Sequence, residues 1–248
     1  MNISTEELVE RLRSRTASNQ VGKAQGENRE RIAYEGVDLS DITLTGINLN
    51  GVTMRDVHFK RCDLSQSTMR GASFERCTFE GANLSLANMR RARFNDSALV
   101  GATLYRIRAF GAAFSAVDIR QADFSEAQLR KASFIRSKVA GASFTRANLS
   151  LVDFSESLLG GADFSHASMR HAQFRGADLG EACFTGALIS PTSLRDARNL
   201  ESLRAEWVLV EMPRLDFQLR GEELERWLTG EAVTGVLGLL LPELPAAP

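Results

Sequence analysis

Large apolar residues recur every five positions through the middle of the chain. The series Leu39, Leu44, Leu49, Met54, Phe59 continues without a slip to Leu194. Of its 32 positions, 31 hold a large apolar side chain, and Ala109 is the exception. Twelve of the 14 phenylalanines fall on this grid. A second grid lies two residues earlier, from Val37 to Thr192, with 17 Ala, eight Val or Ile, four Ser, two Cys and one Thr. The remaining three positions of each five are mostly polar. This period suits neither an amphipathic helix nor a simple alternating strand. It predicts a chain that turns a corner every five residues, with the two apolar grids inside and the other three positions outside. Repeats this short bury a core only by stacking on their neighbours. The small grid is steric, because Ala-sized groups leave room for the large ones around a narrow axis.

Coils of 20 residues would stack side chains 20 apart, and the composition of the columns supports that length. One column reads Met54, Phe74, Phe94, Phe114, Phe134, Phe154, Phe174, Leu194. Another reads Leu44, Leu64, Leu84, Leu104 and then Phe124, Phe144, Phe164, Phe184. The column from Leu49 to Ile189 has no Phe at its centres. Residues 37–196 then form about eight coils, a rod roughly 35–40 Å long at the ~4.8 Å spacing of paired strands.

Segments such as Ala82-Asn83-Leu84-Ser85, Ala122-Asp123-Phe124-Ser125, Ala147-Asn148-Leu149-Ser150 and Ala162-Asp163-Phe164-Ser165 resemble the A-(D/N)-(L/F)-x-x pattern of pentapeptide-repeat proteins. The resemblance implies an all-β solenoid, a right-handed quadrilateral β-helix with four pentapeptides per coil and short helical segments at its ends. Some members, the Qnr- and MfpA-type and the albicidin-resistance proteins, bind DNA gyrase or topoisomerase IV and protect it. The resemblance therefore also implies a type II topoisomerase as the most specific candidate partner.

Charge modifies that expectation. Thirty basic and 31 acidic residues leave a formal net charge of −1, which excludes a bulk polycation, and direct nucleic-acid binding is not expected. Nor is the rod the strongly acidic duplex mimic that some topoisomerase-binding members present. The outward positions are unequal, however. The column from Leu49 to Ile189 exposes Arg70, Arg90, Arg91, Arg108, Arg130, Lys131 and Arg170, with His171 beside them, and no acidic residue. This stripe reads either as a solvated face that keeps stacked coils soluble, or as a site for an acidic protein or membrane surface. The grid defect at Ala109 gives a second candidate. Val100, Tyr105 and Phe110 would form an apolar belt on successive corners, and with Arg106 and Arg108 they have the composition of an interface hot spot. In the competing reading the coil bulges and Phe110 turns inward to fill the space left by Ala109.

Nothing supports catalysis, and no enzyme activity, cofactor or metal is expected. His58, His166 and His171 sit outward on different columns, Cys62 and Cys77 replace Ala on the inner grid, and the lone Cys183 faces out. Asp and Asn before many centres read as hydrogen-bonding partners of the backbone. Glycines recur at corners and serve turns.

The ends lack the period. In residues 1–36, Ser4 to Glu7 reads as a capping box that opens a short helix with Leu8, Val9 and Leu12 on one side, and Thr16 to Asn28 reads as a linker. This head caps the first coil, docks a partner or forms part of a targeting segment, and it resembles the start of secreted effectors of the PipB type. In residues 197–248, helices are expected from Ala197 to Trp207 and from Glu222 to Leu228. They would form a cap, which the open last coil requires. An apolar run then includes Val236, Leu237, Leu239, Leu240 and Leu241; with Trp227 it is a candidate homodimer contact. The expected location is cytoplasmic, with a secreted effector as the alternative, and no apolar run reaches the roughly 20 residues a bilayer span requires.

Overall fold

The computed structural model describes residues 4–19, 33–190, 193–194, 196–211 and 216–228. It is a β-solenoid of about nine turns. Helix α1 (Thr5–Asn19) precedes strands β1 (Ala33–Glu35), β2 (Thr53–Arg55), β3 (Ser73–Glu75) and β4 (Arg93–Asn95), which pair in parallel with partners 20 residues apart. Further down the rod, β5 (Ser168–Met169) and β6 (Leu188–Ile189) pair likewise. Elsewhere the walls are joined by single parallel bridges with the same offset, such as Asp63↔Asn83 and Ser133↔Asp153.

One pentapeptide explains why the repeat folds this way. The Cys62 N–H closes a turn on Phe59 O at 3.1 Å, and Asp63 N–H reaches back to Ile42 O at 3.0 Å. Leu64 N–H donates forward to Asn83 O at 2.7 Å and Gln66 N–H to Ser85 O at 2.8 Å. The fifth donor, Ser65 N–H, is taken by the Asp63 carboxylate at 3.0 Å. All five amides thus have an acceptor, as a closely packed wall requires. The fifth bond gives the Asp or Asn before a centre its use, and it recurs at Asp123, Asn148 and Asp163. The residue two after each centre lies at left-handed φ at every corner from Gly36 to Gly186, including Arg61, Leu86 and Glu156. Such a turn is free for glycine and costs other residues about 1 kcal/mol or more.

Among the described residues the inner grids are buried except for Ile42, which is partly buried, and the phenylalanines stack along the axis. Phe94, Phe114 and Phe134 lie parallel with centroids 4.9 Å apart, and Phe124 and Phe144 are 5.0 Å apart in the second series. The two stacks meet edge to face across the axis, as at Phe114 and Phe124, 5.8 Å and 86°. Edge-to-face and offset contacts are the arrangements the ring quadrupoles favour.

Both ends are covered. The Ser4 hydroxyl accepts the Glu7 N–H, which caps α1, and the buried Leu8 and Leu12 seat the helix on the solenoid core. Thr5, Arg13 and Arg15 hydrogen-bond Asp38 O, Thr43 O and Asn50 O, so the helix sits over the first coil. It runs on to Asn19, beyond the expected start of the linker. The expectation of a helix over Ala197–Trp207 is corrected. Leu200–Ser202 makes one 3-10 turn, Arg204 bridges Cys183, and Trp207–Val210 forms β7, which pairs in parallel with β6. The apolar spacing of Leu200, Leu203 and Trp207 mimics a helix, but the open strand edge of the last coil draws this chain into one more turn. An inserted residue lengthens the offset from 20 to 21, seen at Asp178↔Arg198 and then Cys183↔Arg204. Strand β8 (Phe217–Arg220) closes the sheet antiparallel to β7, and helix α2 (Gly221–Leu228) follows as expected.

Candidate functional site

The four walls are named by their first centres: first Leu39, second Leu44, third Leu49, fourth Met54. Because every outward residue stands above its counterpart 20 positions on, charge pairing is decided column by column. On the first, second and fourth walls many basic side chains meet an acid one coil away. Arg61 meets Asp41 at 2.6 Å, Arg76 meets Asp56 at 2.6 Å, Arg55 meets Glu75 at 2.7 Å, and Lys60 meets Glu80 at 3.1 Å. Arg106–Glu126 and Arg136–Glu156 repeat the device further along. The Arg76 hydrogen bonds hold the Asp56 carboxyl below its usual range, and Arg61 does the same to Asp41.

The third wall is different. Arg70, Arg90, Arg91, Arg108, Arg130 and Lys131 are exposed, and none forms an ion pair with a described residue. Arg170 departs from the expected stripe. Its guanidinium bridges Glu211 at 2.7 Å and Asp216 at 2.8 Å, so it is half-buried and fastens the C-terminal cap. His171 lies 3.8 Å from Glu211.

At the Ala109 defect the coil does not bulge. Ala109 N–H donates to Gln128 O at 2.9 Å and Gly111 N–H to Arg130 O at 3.0 Å, so the register runs through unbroken. Ala109 points inward, fully buried, and Phe110 stays at the surface. The reading in which Phe110 turns inward is therefore overturned by intact pairing on both sides. The Arg90 guanidinium stacks 5.6 Å from the Phe110 ring centroid, and Arg106 stacks 5.0 Å from that of Tyr105. Tyr105 and Arg106 occupy the corner between the second and third walls, Arg108 lies mid-wall, and Phe110 occupies the next corner. Val100 is one corner further back, half-buried. The third wall thus carries an aromatic–arginine pair at each edge here, Tyr105–Arg106 within one coil and Phe110–Arg90 between two.

The remaining candidates fall outside this face. Trp227 is 4% exposed within its own chain and packs into the cap. Val236, Leu237, Leu239, Leu240 and Leu241 lie outside the described residues. Burial pushes the Cys62 and Cys77 thiols up to about 12 and about 11, which makes them poor nucleophiles. His58 Nδ1 contacts the Thr78 hydroxyl at 3.0 Å, and His166 packs edge-on against Trp207. Among the described residues no cluster of His, Cys, Asp or Glu has the arrangement of a metal site, and no helix is long and apolar enough to cross a membrane.

Sequence reasoning did not single out Leu86, Leu151 or Arg146. Leu86 and Leu151 are 50% and 38% exposed, and both stand at left-handed φ, 62° and 59°. The signal was present: at this corner position they are the large apolar side chains among glycines and charged groups.

The pentapeptide repeat region family model matches residues 29–104 and 107–184, and the chain belongs to that family. Among solved structures it is similar to HetL, a pentapeptide repeat protein involved in heterocyst differentiation regulation in the cyanobacterium Nostoc sp. strain PCC 7120. That likeness has 20% identity over 79% of this chain and 90% of that one, with a TM-score of 0.44. It is also similar to full-length QnrB1, a plasmid-mediated fluoroquinolone resistance protein, at 18% identity over 72% and 93% of the two chains and a TM-score of 0.38. A pentapeptide repeat protein of the Arabidopsis thaliana thylakoid lumen matches at 29% identity over 46% and 68%, with a TM-score of 0.21. No curated protein sequence matches the chain.

Proposed function

We propose that this protein is a non-catalytic docking rod that binds an acidic protein surface through its third wall. The carrying observation is a contrast in charge pairing: many basic side chains of the other walls are matched by an acid one coil away, while six of the third wall's seven cations face solvent unmatched. Matched charges contribute modestly to a surface. Unmatched charges of one sign set up a field that steers an oppositely charged partner. The Phe110–Arg90 and Tyr105–Arg106 pairs supply the aromatic and arginine content typical of binding hot spots. The test is a pull-down that compares the wild type with a variant in which Arg70, Arg90, Arg108 and Arg130 are changed to Glu. A partner retained equally by both would defeat the proposal.

The finer reading, protection of DNA gyrase or topoisomerase IV, is supported by the family resemblance alone. Duplex mimicry needs unmatched acids along the rod, and arginines close part of them, Asp41, Asp56 and Glu156. A supercoiling assay with and without quinolone decides it; no effect at micromolar protein ends that reading. Three free cysteines support a reducing, cytoplasmic setting. Dimerisation through the apolar run at 232–241 stays part of the proposal without Trp227. A deletion of 230–248 that leaves a dimer's mass in solution unchanged would remove it.

A further inference from the structure

We infer that the partner enters the third wall as an extended acidic segment, seated in a groove along the corner shared with the second wall. The inference rests on the docking proposal above and adds a place and a shape to it. A shallow groove of about 920 Å³ runs there, parallel to the rod axis. Leu86, Arg106 and Arg146 stand along its corner edge, and Asn88, Arg108 and Gln128 form its floor.

Three features of this groove point to the same occupant. First, its charge is positive and largely unspent. Arg108 and Arg146 form no ion pair with a described residue, and the one acid present, Glu126, is taken by Arg106 at 2.5 Å. Second, the Gln128 amide makes no hydrogen bond to a described residue, so it offers both a donor and an acceptor to a passing backbone. Third, Leu86 stands at a doubly unfavourable place. Half of it faces water, and its backbone is left-handed. Every corner of the solenoid shares that backbone, so what sets Leu86 apart in this groove is its half-exposed apolar side chain. Here the leucine supplies an apolar contact within a ring of cations.

The dimensions agree. From Gln66 to Arg146 the groove spans four coil steps, about 19 Å at the spacing of paired strands. An extended chain at ~3.3 Å per residue covers that distance in about six residues. A segment that alternates acidic and apolar side chains matches the cations and Leu86 together. A flat lipid surface or a DNA duplex would meet the projecting corners and leave the floor and the Gln128 amide unused.

The experiment measures fluorescence anisotropy of a labelled peptide of alternating Leu and Glu with the full chain. A Leu–Lys peptide, labelled duplex DNA and phosphatidylglycerol vesicles serve as comparison probes. The inference expects the acidic peptide to bind best. Arg108→Glu with Arg146→Glu should weaken it by about tenfold or more, and Arg70→Glu with Arg130→Glu, on the opposite corner, by less than about threefold. Leu86→Gly should weaken binding by about tenfold while the melting temperature stays level or rises, since glycine relieves the left-handed turn. A merely structural leucine would not show that opposite movement. Equal losses from the two double variants, or a Leu86→Gly protein that binds as well as the wild type, would overturn the groove and leave the docking wall standing. A wild type that binds no acidic peptide, or prefers DNA or vesicles, would overturn both.

Discussion

The Phe114 ring stacks on that of Phe94, 7° from parallel and with centroids 4.9 Å apart, although the two residues are 20 positions apart. The spacing equals one strand separation, so each coil delivers its ring onto the one before. Phe114 is fully buried, between Phe94 and Phe134. Phe114→Ala leaves a void that the stacked walls cannot close. It should cost about 3–5 kcal/mol in a denaturant titration.

Leu151 stands at left-handed φ on the far edge of the third wall, 38% exposed. Replacing it removes both an exposed apolar side chain and a strained turn. Leu151→Gly should raise stability by about 1 kcal/mol, partly offset by the greater freedom of glycine in the unfolded chain. Thermal melts of the single variant check the sign.

Two inner-grid serines should respond in opposite ways to the same substitution. The Ser67 hydroxyl is buried with no hydrogen-bond partner, whereas the Ser137 hydroxyl donates to Phe114 O and accepts the Val117 N–H. Ser67→Ala should stabilise by about 1 kcal/mol, and Ser137→Ala should destabilise by a similar amount. Paired chemical-denaturation curves would show it.

Acid should loosen the C-terminal cap. Burial pushes the Glu211 carboxyl up, but hydrogen bonds from Ser190 and Arg170 and the nearby His171 outweigh this and hold it below its usual value. A carboxyl with a lowered folded-state pKa stabilises above its ordinary range of about 4 and loses that contribution as pH falls through its folded value. Both tryptophans, Trp207 and Trp227, lie in this cap, so their emission reports it. The emission should shift to the red below about pH 4, and Glu211→Gln should flatten that step.

Much of the rod was legible because a five-residue period in Leu39 to Leu194 admits few geometries. The Phe columns added the coil length, and the Asp63–Ser65 bond shows why the polar position before a centre holds Asp or Asn. The last turn was less legible. Leu200, Leu203 and Trp207 have helical spacing, and only the open edge of β6, a tertiary feature, draws Trp207–Val210 into a strand. Arg170 was grouped with its column because its partners, Glu211 and Asp216, lie in the non-repeating cap. The pairing of Arg61 with Asp41 was open to sequence, since both hold the same corner position one coil apart. Comparing those positions column by column would have separated matched from unmatched arginines.

The central claim is that the unmatched third-wall arginines bind and the matched ones do not. Anisotropy of labelled poly-glutamate, measured beside melting temperature, tests it with two triple variants. Changing Arg90, Arg108 and Arg130 to Ala should abolish most binding and leave the melting temperature in place, since no described acid loses its partner. Changing Arg61, Arg76 and Arg136 to Ala should lower the melting temperature and leave binding intact. Equal loss of binding in both, or none in the first, would contradict the account.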